Sequence, residues 1–123
     1  MEANKKIGFI GLGNMAEAMI GGMLQKGAVR PENVIGSART AATCERMAEK
    51  YGITAHPSNV KVAKQADILF LAVKPQFFPE VIGEIRSDVR PETVIVSIAD
   101  YNYWKYKEYA RIPRIYVFVL YKR

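Results

Sequence analysis

Hydrophobic and polar positions along this chain change period repeatedly, between the spacing of a strand and that of a helix. Ile7 to Ile10 is a short apolar run and predicts a buried strand. From Asn14 to Lys26, Met15, Met19, Ile20, Met23 and Leu24 recur at helical spacing, and Gly27 suits the helix stop. Those methionines read as core filling rather than as a cofactor box. Pro31 falls in the loop that follows. Val34 to Ser37 predicts a second strand, and Ala41 to Tyr51 a second helix ended by Gly52. Ile53 to Ala55 predicts a third strand and Asn59 to Gln65 a short helix. Ile68 to Val73, reading ILFLAV, is the uninterrupted apolar strand expected at the buried centre of a parallel sheet. Phe77 to Arg86 predicts a further helix, and Thr93 to Ile98 a fifth strand. This alternation defines an α/β fold built on a doubly wound parallel sheet.

At Ala99 the character of the chain changes. All nine glycines precede it, whereas six of the seven tyrosines and the single tryptophan follow it. Residues 1–99 therefore read as one domain and 100–123 as an atypical aromatic, basic tail. Within that tail Ile115 to Tyr121 is β-branched and aromatic enough for an edge or terminal strand. The net charge of +6 belongs mostly to the same segment, where six Lys or Arg face two acids. The body is close to neutral, so no basic stripe on a folded face points to nucleic acid. No apolar run reaches the roughly 18 residues of a membrane span, and the N-terminus lacks a secretory pattern. One cysteine, Cys44, cannot form an internal disulfide and reads as an ordinary helix residue. A cytoplasmic protein is the expectation. At 123 residues the chain has room for one core, and a two-domain dehydrogenase would need considerably more.

The chemistry starts where the first strand ends. Gly11-x-Gly13-x-x-Ala16 joins that strand to the first helix, the layout that receives a dinucleotide pyrophosphate. Gly11 permits a tight turn, Gly13 lets the backbone approach the phosphates, and Ala16 lets the helix pack closely. The helix start presents free N–H groups and a positive dipole end. A Rossmann-type NAD(P)-binding domain is the implied architecture. After the second strand, where Asp or Glu would meet the ribose hydroxyls of NAD, the chain has Ser37-Ala38-Arg39-Thr40. A guanidinium with a neighbouring hydroxyl suits a 2′-phosphate, which makes NADP the preferred cofactor over NAD. The alternative is a solvated Arg39 with Ser37 or Thr40 capping the second helix. After the fourth strand come Ala72, Val73, Lys74 and Pro75, placed to line the nicotinamide end. Lys74 either reaches a ribose or phosphate or lies on the surface; spacing does not choose. His56 has no partner nearby in sequence, no His/Cys cluster offers metal ligands, and no residue is assigned a catalytic role.

Together these segments resemble pyrroline-5-carboxylate reductase. The resemblance rests on IGFIGLGNMAEAMIGGML at 7–24, SART at 37–40, the Asn59 loop, ADILFLAVKPQ at 66–76 and VIVSIA at 94–99. It implies NAD(P)H-dependent reduction of a C=N bond, giving proline. It also implies that Gly11, Leu12, Gly13, Asn14, Met15 and Ala16 cradle the pyrophosphate. Ser37 and Arg39 would meet the adenosine phosphate, Asn59 would lie near the adenosine, and Ala72 to Pro75 would line the ribose and nicotinamide. Where the family continues from SIA into an AGITI-like segment, an MPN-type loop and a helical dimerisation domain that binds substrate, this chain reads DYNYWKY. One choice of codons for Asp-Tyr-Asn-Tyr-Trp-Lys-Tyr, GAT TAT AAC TAT TGG AAA TAT, reads Ile-Ile-Thr-Ile-Gly-Asn when shifted by one base. The resemblance thus implies a truncated, weakly active or inactive enzyme, and the codon shift gives the hypothesis that residues from about Asp100 onward are translated out of frame. Competing readings are an NADP(H)-binding module without catalysis and a reductase of β-hydroxyacids. A competing account of the tail is an evolved segment that adds a sixth strand or binds a partner. An uncovered sheet edge would also favour self-association.

Overall fold

A computed structural model describes residues 4–98 and 115–118. Six strands form one parallel sheet: β1 (Ile7–Ile10), β2 (Val34–Ser37), β3 (Thr54–His56), β4 (Ile68–Leu71), β5 (Val94–Ile98) and β6 (Ile115–Phe118). Their order is β3-β2-β1-β4-β5-β6, and every neighbouring pair runs parallel. The helices are α1 (Asn14–Gln25), α2 (Ala41–Tyr51), α3 (Asn59–Gln65) and α4 (Phe78–Ile85). Two cores follow from this winding. On one face Ala16 and Ile20 of α1 and Met47 of α2 pack with Ile7, Phe9 and Val34. On the other, Val62 and Ala63 of α3 and Phe78, Val81, Ile82 and Ile85 of α4 pack with Ile10, Leu69, Leu71 and Ile95. The chain leaves β1 toward β2 and β3, then returns to place β4 on the opposite side. A crevice opens at that reversal, outside the carboxyl ends of β1 and β4.

All of the elements expected from periodicity are present; β1, β2, α2 and α3 keep the expected bounds, and the others have displaced ends. β4 stops at Leu71 rather than Val73 because the chain turns: Ala72 still donates to the Ile10 carbonyl at 2.9 Å, but Phe77 N–H closes a 3₁₀ turn onto Lys74 at 2.9 Å. That turn also delays α4 to Phe78. β3 begins at Thr54, since Ile53 is spent in the core on the α1 side and the register pairs Ile35 with Thr54. β5 begins at Val94; the Thr93 hydroxyl before it donates to the Ala66 carbonyl at 3.1 Å. α1 stops at Gln25, and Gly27 at φ +70° leads the chain away while Ala28 N–H bonds the Met23 carbonyl at 2.9 Å. β6 ends at Phe118, so Tyr121 and the rest of the aromatic tail lie outside the described residues. No helix among the described residues is long and apolar enough to cross a membrane.

Candidate functional site

Gly11 leaves β1 at φ +98°, a conformation that side chains with a Cβ rarely adopt. A Cβ there would stand 2.9 Å from the Ala72 carbonyl oxygen, so the turn sits tightly on the end of β4. Its N–H is fixed by the Ser37 carbonyl at 3.1 Å. Leu12 then folds inward; its side chain is buried against Gly36, where a Cβ would come within 2.5 Å of Leu12 Cδ2. Leu12 therefore offers only backbone to a ligand. Gly13 is the N-cap of α1, extended at φ −83°, and no side chain caps the helix. The first N–H groups of α1, at Asn14, Met15 and Ala16, have no partner within the helix. A Cβ on Gly13 would meet nothing within 4 Å, which leaves open space at the start of α1. Gly13, Asn14 and Met15 are exposed, whereas the Ala16 methyl is fully buried and seats α1 on the sheet. The open cradle and unspent donors fit a pyrophosphate.

Beside this turn lies a cleft of about 260 Å³, lined by Gly11, Ser37, Arg39, Asn59 and Val73 among others. It brings together five residues whose numbers span most of the domain. Ser37 is fully buried, and its hydroxyl donates to Asn59 Oδ1 at 2.6 Å. It thus holds Asn59 instead of standing free for a phosphate. Arg39 is exposed, and its guanidinium stacks 3.9 Å above the Phe77 ring. Stacking orients the planar fork without consuming its donors. Thr40, not Ser37, caps α2, its hydroxyl accepting from Thr43 N–H at 3.3 Å. Ala72 is half-buried at the rim of the Gly11 turn, and Lys74 is an exposed side chain outside the cleft lining. Pro75 opens the 3₁₀ turn; its side chain lies outside the described residues.

The cleft also contains residues that sequence reasoning missed: Ala38, Pro57, Phe77, Glu80, Val81 and Glu84. Glu80 and Glu84 stand one turn apart on α4, opposite the buried stripe of Val81, Ile82 and Ile85. The sheet rule could have found them, because α4 starts just past the end of β4 and must flank the crevice. His56 is turned to local work, its Nδ1 accepting from Ser58 N–H at 3.0 Å. Cys44 is buried, its thiol 4.0 Å from the Ala38 carbonyl. Among the described residues no group of three His, Cys, Asp or Glu is placed to hold a metal.

A glycine turn and an uncapped helix at the reversal of a parallel sheet define a dinucleotide-binding domain of the Rossmann type. The chain belongs to the family described as NADP oxidoreductase coenzyme F420-dependent, which it matches over residues 6–101. It is 40% identical over 95 residues to the pyrroline-5-carboxylate reductase of Escherichia coli, covering 77% of this chain and 35% of that one. It is 44% identical over 94 residues to pyrroline-5-carboxylate reductase 3 of Danio rerio, covering 76% and 32% respectively. The chain spans about a third of the length of these relatives. Among solved structures, a pyrroline-5-carboxylate reductase from Coxiella burnetii superposes with a TM-score of 0.73 at 28% identity, covering 79% of this chain and 36% of that one. The Plasmodium falciparum pyrroline carboxylate reductase, solved with NADP bound, gives 0.66 at 25% identity and covers 81% and 35%.

Proposed function

We propose that this chain binds NADP(H) at the carboxyl ends of β1, β2 and β4, as the cofactor domain of a pyrroline-5-carboxylate reductase. The observation that carries this reading is the Gly11–Gly13 turn onto an uncapped α1, with the Arg39 fork presented beside it on Phe77. The similarity to reductases of that name and the NADP-bound Plasmodium structure support it. Bound NADPH supplies the hydride, and the protein supplies position and exclusion of water. In this reading the backbone of Gly11, Leu12 and Gly13 and the N–H groups of Asn14, Met15 and Ala16 hold the pyrophosphate. Arg39 takes the 2′-phosphate, and Ser37 acts through Asn59, which faces the adenosine. Ala72, Val73, Lys74 and Pro75 border the ribose and nicotinamide end. The partner is a small-molecule dinucleotide, with neither nucleic acid nor membrane, and the setting is cytoplasmic.

Titration of the purified chain with NADPH and NADH tests the reading. Saturable binding that favours NADPH is expected, and Arg39→Ala should weaken NADPH by about tenfold more than NADH, the scale of a lost charge-assisted contact. Equal losses would remove the 2′-phosphate role, and absence of binding would remove the whole reading. The 123 residues alone are expected to bind NADPH with little turnover of pyrroline-5-carboxylate, because the matched segment covers only about a third of the relatives' length. Brisk proline formation would overturn that expectation. The tail is part of the same proposal: residues 1–99 form the dinucleotide-binding domain, and residues from about Asp100 onward are read out of frame. Matches to the reductases cover 76–80% of the chain, which supports a change of character near that point. The pairing of Ile115–Phe118 as β6 supports the competing account, a tail evolved to add a strand. The nucleotide sequence decides between them, since a shifted frame must carry AGITI-like and MPN-like segments.

A further inference from the structure

Asn59 is held from two sides. Ser37 Oγ lies 2.6 Å from Asn59 Oδ1, and Asn59 Nδ2 donates a long hydrogen bond to Glu84 Oε2 at 3.5 Å. A carboxylate only accepts, so the amide nitrogen must face Glu84 and the amide oxygen must take the Ser37 hydroxyl. The reversed amide would set oxygen against carboxylate. Glu84 thereby brings a negative charge to the cleft that Arg39 also lines. Among the described residues no ion pair joins Arg39 to Glu84, so neither charge neutralises the other directly.

This placement has a consequence for the ribose. The segment after β2 carries no carboxylate, and α4 returns one to the cleft from the opposite wall. A 2′-phosphate entering beside Asn59 is drawn by Arg39 and repelled by Glu84. A 2′-hydroxyl in the same place finds a carboxylate acceptor and no repulsion. We propose that Glu84 is a specificity-determining residue that opposes the 2′-phosphate, so that cofactor preference is set by the balance of Glu84 against Arg39. The proposal rests on the dinucleotide reading of this cleft. Glu80 lines the same cleft one turn earlier but does not touch Asn59, which makes it the internal control.

The test is a titration of the purified chain with NADPH and NADH, read by nicotinamide fluorescence and thermal shift, for wild type, Glu84→Gln and Glu80→Gln. Glu84 is exposed on α4, and glutamine keeps its shape and its acceptor, so the fold should persist, as circular dichroism checks. Glu84→Gln should tighten NADPH about three- to tenfold and leave NADH within about twofold, the scale of one partly screened charge. That gain should shrink in about 0.5 M salt, where the Debye length is only a few ångströms. Glu80→Gln should move the ratio less. A wild type that binds while Glu84→Gln leaves the ratio unmoved overturns this inference alone. Equal shifts from both variants overturn the assignment to Glu84. A wild type that binds neither dinucleotide overturns this inference together with the proposed function.

Discussion

Gly13 and Gly36 are absent-side-chain positions with opposite consequences. A Cβ on Gly13 meets nothing within 4 Å, whereas one on Gly36 meets Leu12 Cδ2 at 2.5 Å. Gly13→Leu should therefore leave the thermal transition nearly unchanged and abolish dinucleotide binding by filling the cradle. Gly36→Ala should destabilise the fold by about 1–3 kcal/mol, because a buried leucine must move to admit the methyl. Denaturation curves and NADPH titrations of both variants separate the two roles. At this scale the glycine motif was legible, since a φ of +98° at Gly11 and the close seating of Ala16 are demands on one residue at a time. Ser37 was legible as a residue at the end of β2 facing the cleft, but its bond to Asn59 was not. Its hydroxyl meets Asn59, 22 positions away, and nothing in SART announces that partner. Phe77 under Arg39 was hidden for the same reason.

Between elements, the most developed polar contact joins α1 to α2. Glu17 lies 3.0 Å from Arg46 and 3.0 Å from Lys50, and accepts from the Tyr51 hydroxyl at 2.8 Å. Arg46 first, then Tyr51 and Lys50, hold its carboxyl at about 2, below the usual 4.5. A carboxyl depressed in the folded state contributes its stability fully above the unfolded value and loses it as pH falls through the folded one. Wild type should thus be more stable than Glu17→Gln at pH 7, and the gap between their melting temperatures should close from about pH 4.5 down to about 2. A gap independent of pH would contradict the ion-paired geometry. Asp67 is also depressed, by the Lys6 backbone N–H and by Arg90, and Glu17→Gln leaves that contribution in place. Helix ranges were legible because apolar spacing and stop glycines are local signals. The boundaries of β3 and β4 were not, because ladder register, rather than composition, decides where a strand ends. Ala72 and Val73 are as apolar as the strand before them; they serve the Gly11 turn and the cleft.

For the molecule as a whole, the least covered large apolar side chains of β4 among the described residues lie on its α1 side. Ile68 and Phe70 are only partly buried there, although the Phe70 ring stacks on Phe9 at 4.8 Å. β6 also stands at the end of the sheet order. A partly covered apolar face and an edge strand in the same sheet both favour association. Sedimentation velocity should show the average mass of the chain rising across the micromolar range; a monomer at every concentration would refute self-association through this region. The sequence by itself determined the doubly wound class, the place of the glycine turn and the identity of the helices. Those depend on periodicity and on single-residue backbone needs, which are written locally. Only the tertiary structure decided the strand order and the meeting of Ser37, Asn59 and Glu84. It also decided the stacking of Arg39 on Phe77. These contacts join residues 22 to 38 positions apart, and their proximity exists only once parallel strands bring their carboxyl ends to one crevice.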